Sequence, residues 1–291
     1  EHNIAVFRKN HVNGYFCDAG RGDFGKENDH LTAVKKIDAA GGLSVLNHLG
    51  DWNGANRDKN IALSDTQREL FASILYAYPS CLGIEIVNSK DRCTRHDRLL
   101  WDRLLERLIP LGRNVWGFSN DDSHTDSDAG DSYELFVLRE NTLREIKRAM
   151  ISGSFFACSR YARYELGEDF VGDGWFGKFG MSVGESMIRL DVPDGCSVRW
   201  ISCGKTVCEG GVFDLAEHPE AEIYVRFELS GAAGMLYSQA FPISGAEKFA
   251  EPISPPFEPR TIAERLAAAK EHSHFAEAAR FLGRELKKHH G

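Results

Sequence analysis

Between residues 29 and 158, helical periods alternate with short apolar runs, and this alternation constrains the fold more than any other feature of the chain. Leu31, Val34 and Ile37 recur at helical spacing, and Gly41-Gly42 ends that period. Leu43-Ser44-Val45-Leu46 follows as a short buried strand. Ser64-Asp65-Thr66-Gln67 is a capping-box pattern that opens a helix running to about Tyr78. Leu82 to Asn88 reads as the next strand, and Leu100, Leu104 and Leu108 mark one face of the next helix. Asn114 to Phe118 and Tyr133 to Leu138 read as strands, Asn141 caps a helix to about Ser152, and Phe155 to Cys158 is a final strand. Repeated strand–helix–strand units predict parallel strands joined by crossover helices, in an open sheet or a barrel.

In either arrangement, chemistry collects at the C-terminal ends of the strands. His48, Asn88, Asp122 and His124 all fall at such ends. If the backbone stays extended through Ser119 to His124, Asp122 and His124 point to one side. At the start of the chain, two short strands flank a turn near Arg8-Lys9-Asn10 and bring in His11.

After Tyr164 the helical periods stop. Short β-like runs separated by glycine-rich turns predict a small antiparallel β-sandwich over residues 165–247. Glu251 to Pro259 reads as a proline-rich linker or strap, and Thr261 to His290 as a helical tail carrying solvated surface histidines.

A net charge of -8 argues against an extended nucleic-acid surface, and no apolar run reaches membrane-spanning length. The seven cysteines are odd in number and scattered, without a Cys-x-x-Cys, which predicts buried thiols in a reducing, cytoplasmic compartment.

The candidate metal ligands are Glu1, His11, His48, Asp122 and His124. Imidazoles and carboxylates without a thiolate suit Mn, Fe, Zn or Mg in a hydrolytic site. His2 and Asp121 are expected to support the ligands from behind. Arg57, Arg92, Arg95 and His96 lie in loops after strand ends, within possible reach of a phosphoryl group. Glu85, inside a strand, fits a buried salt bridge and a catalytic role equally well.

Three segments together resemble one family. Gly41-Gly42-Leu43-Ser44-Val45-Leu46-Asn47-His48 is similar to the "GG-apolar-H" step of the PHP (polymerase and histidinol phosphatase) domains. Gly83-Ile84-Glu85-Ile86-Val87-Asn88 resembles their "GIEVxN" strand, and Val115 to His124 resembles the strand ending in their metal-binding D-x-H. Glu1 and His11 resemble the family's earlier Glu, often bridging two metals, and the His some ten residues later. The family's opening H-x-H strand and its D-H motif do not precede Glu1, so an N-terminally truncated fragment is expected.

The resemblance implies a distorted (βα)7 barrel, incomplete at its N-terminus, over residues 1–164, with the sandwich at 165–247 and the linker and tail at 248–291. It implies two or three divalent metal ions held by Glu1, His11, His48, Asp122 and His124, with His48, Asp122 and His124 at the reaction centre. The implied function is hydrolysis of a phosphate ester of a small molecule or nucleotide by a metal-bound hydroxide. The alternatives are another metallohydrolase, cleaving an amide or ester on the same scaffold, and a non-catalytic binding protein derived from it.

Overall fold

The computed structural model describes residues 2–3, 11–19 and 29–256. The expected tail helix, its histidines, Glu1 and the Arg8–Asn10 turn lie outside the described residues.

The first sheet has five strands in the order β1 (His2–Asn3), β2 (His11–Tyr15), β3 (Leu43–Leu46), β4 (Cys81–Asn88) and β5 (Trp116–Asn120). Only β3–β4 and β4–β5 are parallel; β1–β2 and β2–β3 are antiparallel. The helices α1 (His30–Ala39), α2 (Leu49–Asn53), α3 (Lys59–Ala62), α4 (Asp65–Ala77) and α5 (Asp97–Leu108) occupy the connections. Asp29 caps α1 through the Thr32 amide and Ser64 caps α4 through the Gln67 amide, each satisfying a donor that the helix leaves open. Val34, Ile37, Phe71, Leu75, Leu100 and Leu104 bury one side of this sheet in the largest core. Gly83 lets β4 and β5 approach closely, because a Cβ there would lie 1.9 Å from the Trp116 carbonyl oxygen.

The strand alternation stops at β5, and this overturns the barrel. The chain passes through a short 3-10 turn (Asp126–Asp128) into β6 (Ser132–Phe136), α6 (Leu143–Ser152) and β7 (Phe155–Ser159). β6 and β7 pair antiparallel with each other rather than extending the parallel sheet. The Val137 amide donates to the Ser154 carbonyl at 2.9 Å, so α6 sits at the end of a hairpin as an elaborated turn. Apolar runs flanking a helical period look alike whether the helix crosses over a sheet or closes a hairpin. Among the described residues there is no closed barrel; the architecture is mixed α/β with extensive antiparallel pairing.

After α7 (Arg163–Leu166) come the strands β8 (Gly180–Val183), β9 (Met187–Asp191), β10 (Ser197–Ser202), β11 (Lys205–Glu209), β12 (Val212–Asp214), β13 (Tyr224–Gly231), β14 (Gly234–Ser238) and β15 (Phe241–Pro242). They build a seven-stranded sheet, β11-β10-β13-β14-β7-β6 with β15 paired to β13, and a three-stranded sheet, β12-β9-β8. Phe156, Trp200, Phe213, Phe227 and Leu236 share a core with Ile188 and Leu190, so the two sheets face each other as layers. β6 and β7, expected in the barrel, therefore belong to the seven-stranded sheet. A third cluster, with Val45, Leu82, Phe118 and Phe155, packs the first sheet against β7 and α6.

A buried ionic network also joins the two parts. Asp102 on α5 accepts from Arg226 Nε and Nη2, each at 2.8 Å, and from the Tyr224 hydroxyl at 2.6 Å. Arg226 also reaches Glu228 and lies over the Trp101 ring, 4.9 Å from its centroid.

Candidate functional site

The site lies at the C-terminal ends of the three parallel strands. β3 ends at Leu46, and Asn47 and His48 follow before α2 begins. His48 takes a left-handed backbone, φ 30° and ψ 57°, which costs roughly 1–2 kcal/mol for a residue with a Cβ. Glu85 on β4 offsets this by accepting from the His48 backbone N–H at 2.7 Å. The same oxygen, Oε2, lies 2.7 Å from His48 Nδ1.

A bulge in β4 makes this convergence possible. The pairing of β4 with β5 shifts between Glu85 and Val87. In a regular strand, residues three apart point to opposite faces. With the bulge, Glu85 and Asn88 turn to the same side, and Asn88 Nδ2 donates to Glu85 Oε1 at 3.3 Å. Asn120, the last residue of β5, donates to the same oxygen at 2.9 Å. Glu85 and His48 are 1% and 4% exposed, so the pair is fixed inside protein rather than in water.

A carboxylate only accepts, so Glu85 holds the proton on His48 Nδ1 and leaves Nε2 as the basic nitrogen. That nitrogen faces Nδ1 of His11, from β2, at 2.7 Å. Trp52 on α2 packs edge-on to His11 and tilted against His48, with ring centroids 4.7 and 5.4 Å away. Beside this line is a cavity of about 90 Å³ lined by Asn13, Asn47, His48, Glu85, Asn88, Asn120 and Asp122. Every lining side chain is polar.

The surroundings are rich in buried carboxylate. Burial pushes Asp97 up to about 7, with Glu85 adding to the rise and the Gly50 amide and Arg98 opposing it. Burial likewise pushes Glu134, on β6, up to about 8; the Ser119 amide that it accepts at 2.8 Å opposes the rise, and Glu85 reinforces it. The Cys93 thiol rises to about 11 through burial and then through Asp51, Asp122, Glu85 and Asp97. These buried acids therefore hold their protons more tightly than exposed carboxyls do.

The expected site residues separate into two sets. His11, His48 and Asp122 come together at the cavity or beside it. His124 does not join them. β5 ends at Asn120 and Asp122 is left-handed at φ 49°, so the extended path that would align Asp122 with His124 is broken. The His124 side chain is 80% exposed, and its Nδ1 donates to the Asp122 carbonyl oxygen at 2.7 Å. Asp121 accepts from the Gly130 and Ser132 amides and closes the loop after β5. His2 lies on β1, paired with Val12.

The four expected phosphate donors do not line the cavity. Arg57 and Arg92 are exposed. Arg95 pairs with Glu168, and its amide donates to Asn56. The His96 ring bonds the Ala55 carbonyl at 2.7 Å. The Arg95 amide and the His96 ring stitch the loop after β3 to the loop after β4.

Asn120, Asp97 and Glu134 were not among the candidates. Asn120 was readable as a strand-end residue next to the Asp-x-His, whereas nothing in the local pattern marks Asp97 or Glu134.

Among the described residues, no group of three His, Cys, Asp or Glu side chains converges to hold a metal ion. The donor chemistry nevertheless fits a divalent cation at the imidazole pair. The carboxylate–histidine arrangement of Glu85 and His48 is the one that orients a ligating imidazole, and Asp122 lines the same cavity.

No protein-family model, no curated protein and no solved structure matches the chain.

Proposed function

We propose that the chain is a metal-dependent phosphoesterase, in line with the resemblance of its strand-end motifs to PHP domains. The observation that carries this reading is the line Glu85–His48–His11 ending beside an all-polar cavity at the C-terminal ends of parallel strands. His11 and His48 would hold the cation, with Asp122 as a further carboxylate on the wall of the same cavity. A divalent ion bound there would supply Lewis acidity toward a water and a phosphoryl oxygen.

The chain's own groups do the rest. Glu85 fixes the ring of His48 and its tautomer. Asn88 and Asn120 fix Glu85 from two strands. The amides of Asn13, Asn47, Asn88 and Asn120 at the cavity wall offer donors to the oxygens of a small phosphorylated substrate. The seven free cysteines accord with a reducing compartment, and we assign the protein to the cytoplasm. No helix among the described residues is long and apolar enough to cross a membrane.

The test is metal analysis of the purified chain combined with turnover of p-nitrophenyl phosphate in added Mn²⁺ or Zn²⁺. Bound metal and metal-dependent turnover, both lost in His48→Asn, are expected. Neither binding nor turnover would leave a non-catalytic binding protein as the better reading.

A further inference from the structure

The left-handed backbone of His48 is followed by a second anchored position. Strained residues persist where their surroundings over-determine them. The peptide two residues on, at Gly50, is held on both sides. Its N–H donates to Asp97 Oδ2 at 3.0 Å, and its carbonyl accepts from the Asn56 amide at 3.0 Å.

Asp97 is an expensive group to use for this purpose. It is 0% exposed, and Oδ1 has no hydrogen-bond partner among the described residues. Burying a carboxylate with so little compensation is unfavourable for stability alone. The packing around Gly50 is tight. A Cβ at that position would lie 2.6 Å from Asp97 Oδ1 and 3.1 Å from the Cys93 carbonyl oxygen. An acid packed this closely against the backbone, at the foot of the turn carrying His48, is placed for positioning.

We infer that Asp97 is a positioning residue for His48, acting through the Gly50 amide to hold the turn after β3 in register with the loop after β4. Asp97 is the first residue of α5, so the clamp ties the imidazole to a helix packed in the main core. The surrounding loop contacts act with it. Asn56 Nδ2 donates to the Arg92 carbonyl at 2.6 Å, and Asn56 Oδ1 accepts from the Arg95 amide at 3.1 Å. This inference rests on the proposed role of His48 and adds the device that aims it.

The test uses the full chain with Asp97→Asn, Asp97→Ala and Gly50→Ala. The readouts are the ¹⁵N signals of the His48 ring, exchange of the Gly50 amide, and Zn²⁺ affinity. Asparagine keeps an acceptor for Gly50, so Asp97→Asn should retain wild-type His48 signals. Asp97→Ala and Gly50→Ala should shift those signals, speed exchange at residue 50, and weaken Zn²⁺ binding by about 10–100-fold, the usual range for groups that support a ligand. A folded Asp97→Ala protein with unchanged His48 signals and affinity would overturn the inference. If that variant does not fold, unchanged His48 signals in Gly50→Ala would overturn it. If the wild type binds no Zn²⁺, the proposed function fails, and the ring signals and exchange rates still decide the positioning role.

Discussion

One carboxylate oxygen, Oε2 of Glu85, lies 2.7 Å from both the backbone nitrogen and Nδ1 of His48. The same atom therefore holds the strained backbone and selects the ring tautomer. Glu85→Gln keeps the shape but turns one of the two accepting oxygens into a donor facing donors, and is expected to lower stability and to weaken metal binding by about 10–100-fold. Glu85→Ala leaves the His48 N–H and the Asn120 amide unpaired in the interior and should also cost roughly 1–3 kcal/mol in denaturant unfolding.

His124 and Asp122 separate experimentally. His124→Ala removes an exposed ring and should leave unfolding stability within about 0.5 kcal/mol of wild type. Asp122→Ala removes a cavity carboxylate and should abolish turnover while the circular dichroism spectrum is preserved. Wild-type turnover by Asp122→Ala would remove that residue from the site.

The strand ends were legible in the sequence because a short apolar run followed by a polar residue has a direct physical meaning: a buried strand emerging at a loop. That reasoning located His48, Asn88 and Asp122 correctly at the ends of β3 and β4 and just past β5. It failed where the outcome depends on pairing partners. β6 and β7 have the apolar content of sheet strands, yet their direction and neighbours were set by the Val137–Ser154 contact and by β14, far along the chain. The bulge that turns Glu85 toward His48 leaves no mark in Gly83-Ile84-Glu85-Ile86-Val87-Asn88, and the left-handed turn at Asp122 removed His124 from the expected site.

Glu134 gives a pH signature. Its carboxyl titrates near 8 in the folded chain, well above the ordinary range near 4.5, because it is buried beside Glu85. The native state therefore binds more protons than the unfolded state between about pH 4.5 and 8, and stability falls as pH rises through that window. Glu134→Gln keeps an acceptor for the Ser119 amide and should flatten the decline. Thermal unfolding of the two proteins should agree near pH 4.5 and separate by pH 9, with the variant the more stable.

The Asp102–Arg226 pair joins α5 to β13 inside the protein. Arg226→Ala leaves Asp102 buried and short of partners, and is expected to cost about 3–5 kcal/mol. Replacing both residues with apolar ones of similar volume should recover much of that loss, as read by urea unfolding.

The most direct measurement is Zn²⁺ or Mn²⁺ binding by calorimetry on the wild-type chain and on His11→Ala, His48→Asn and His124→Ala. We expect binding in the wild type, loss in the first two variants, and retention in the third, because His11 and His48 meet beside Glu85 whereas His124 stands apart in solvent. Equal binding in all four proteins, or binding lost only in His124→Ala, would contradict a metal site built on the His11–His48 pair.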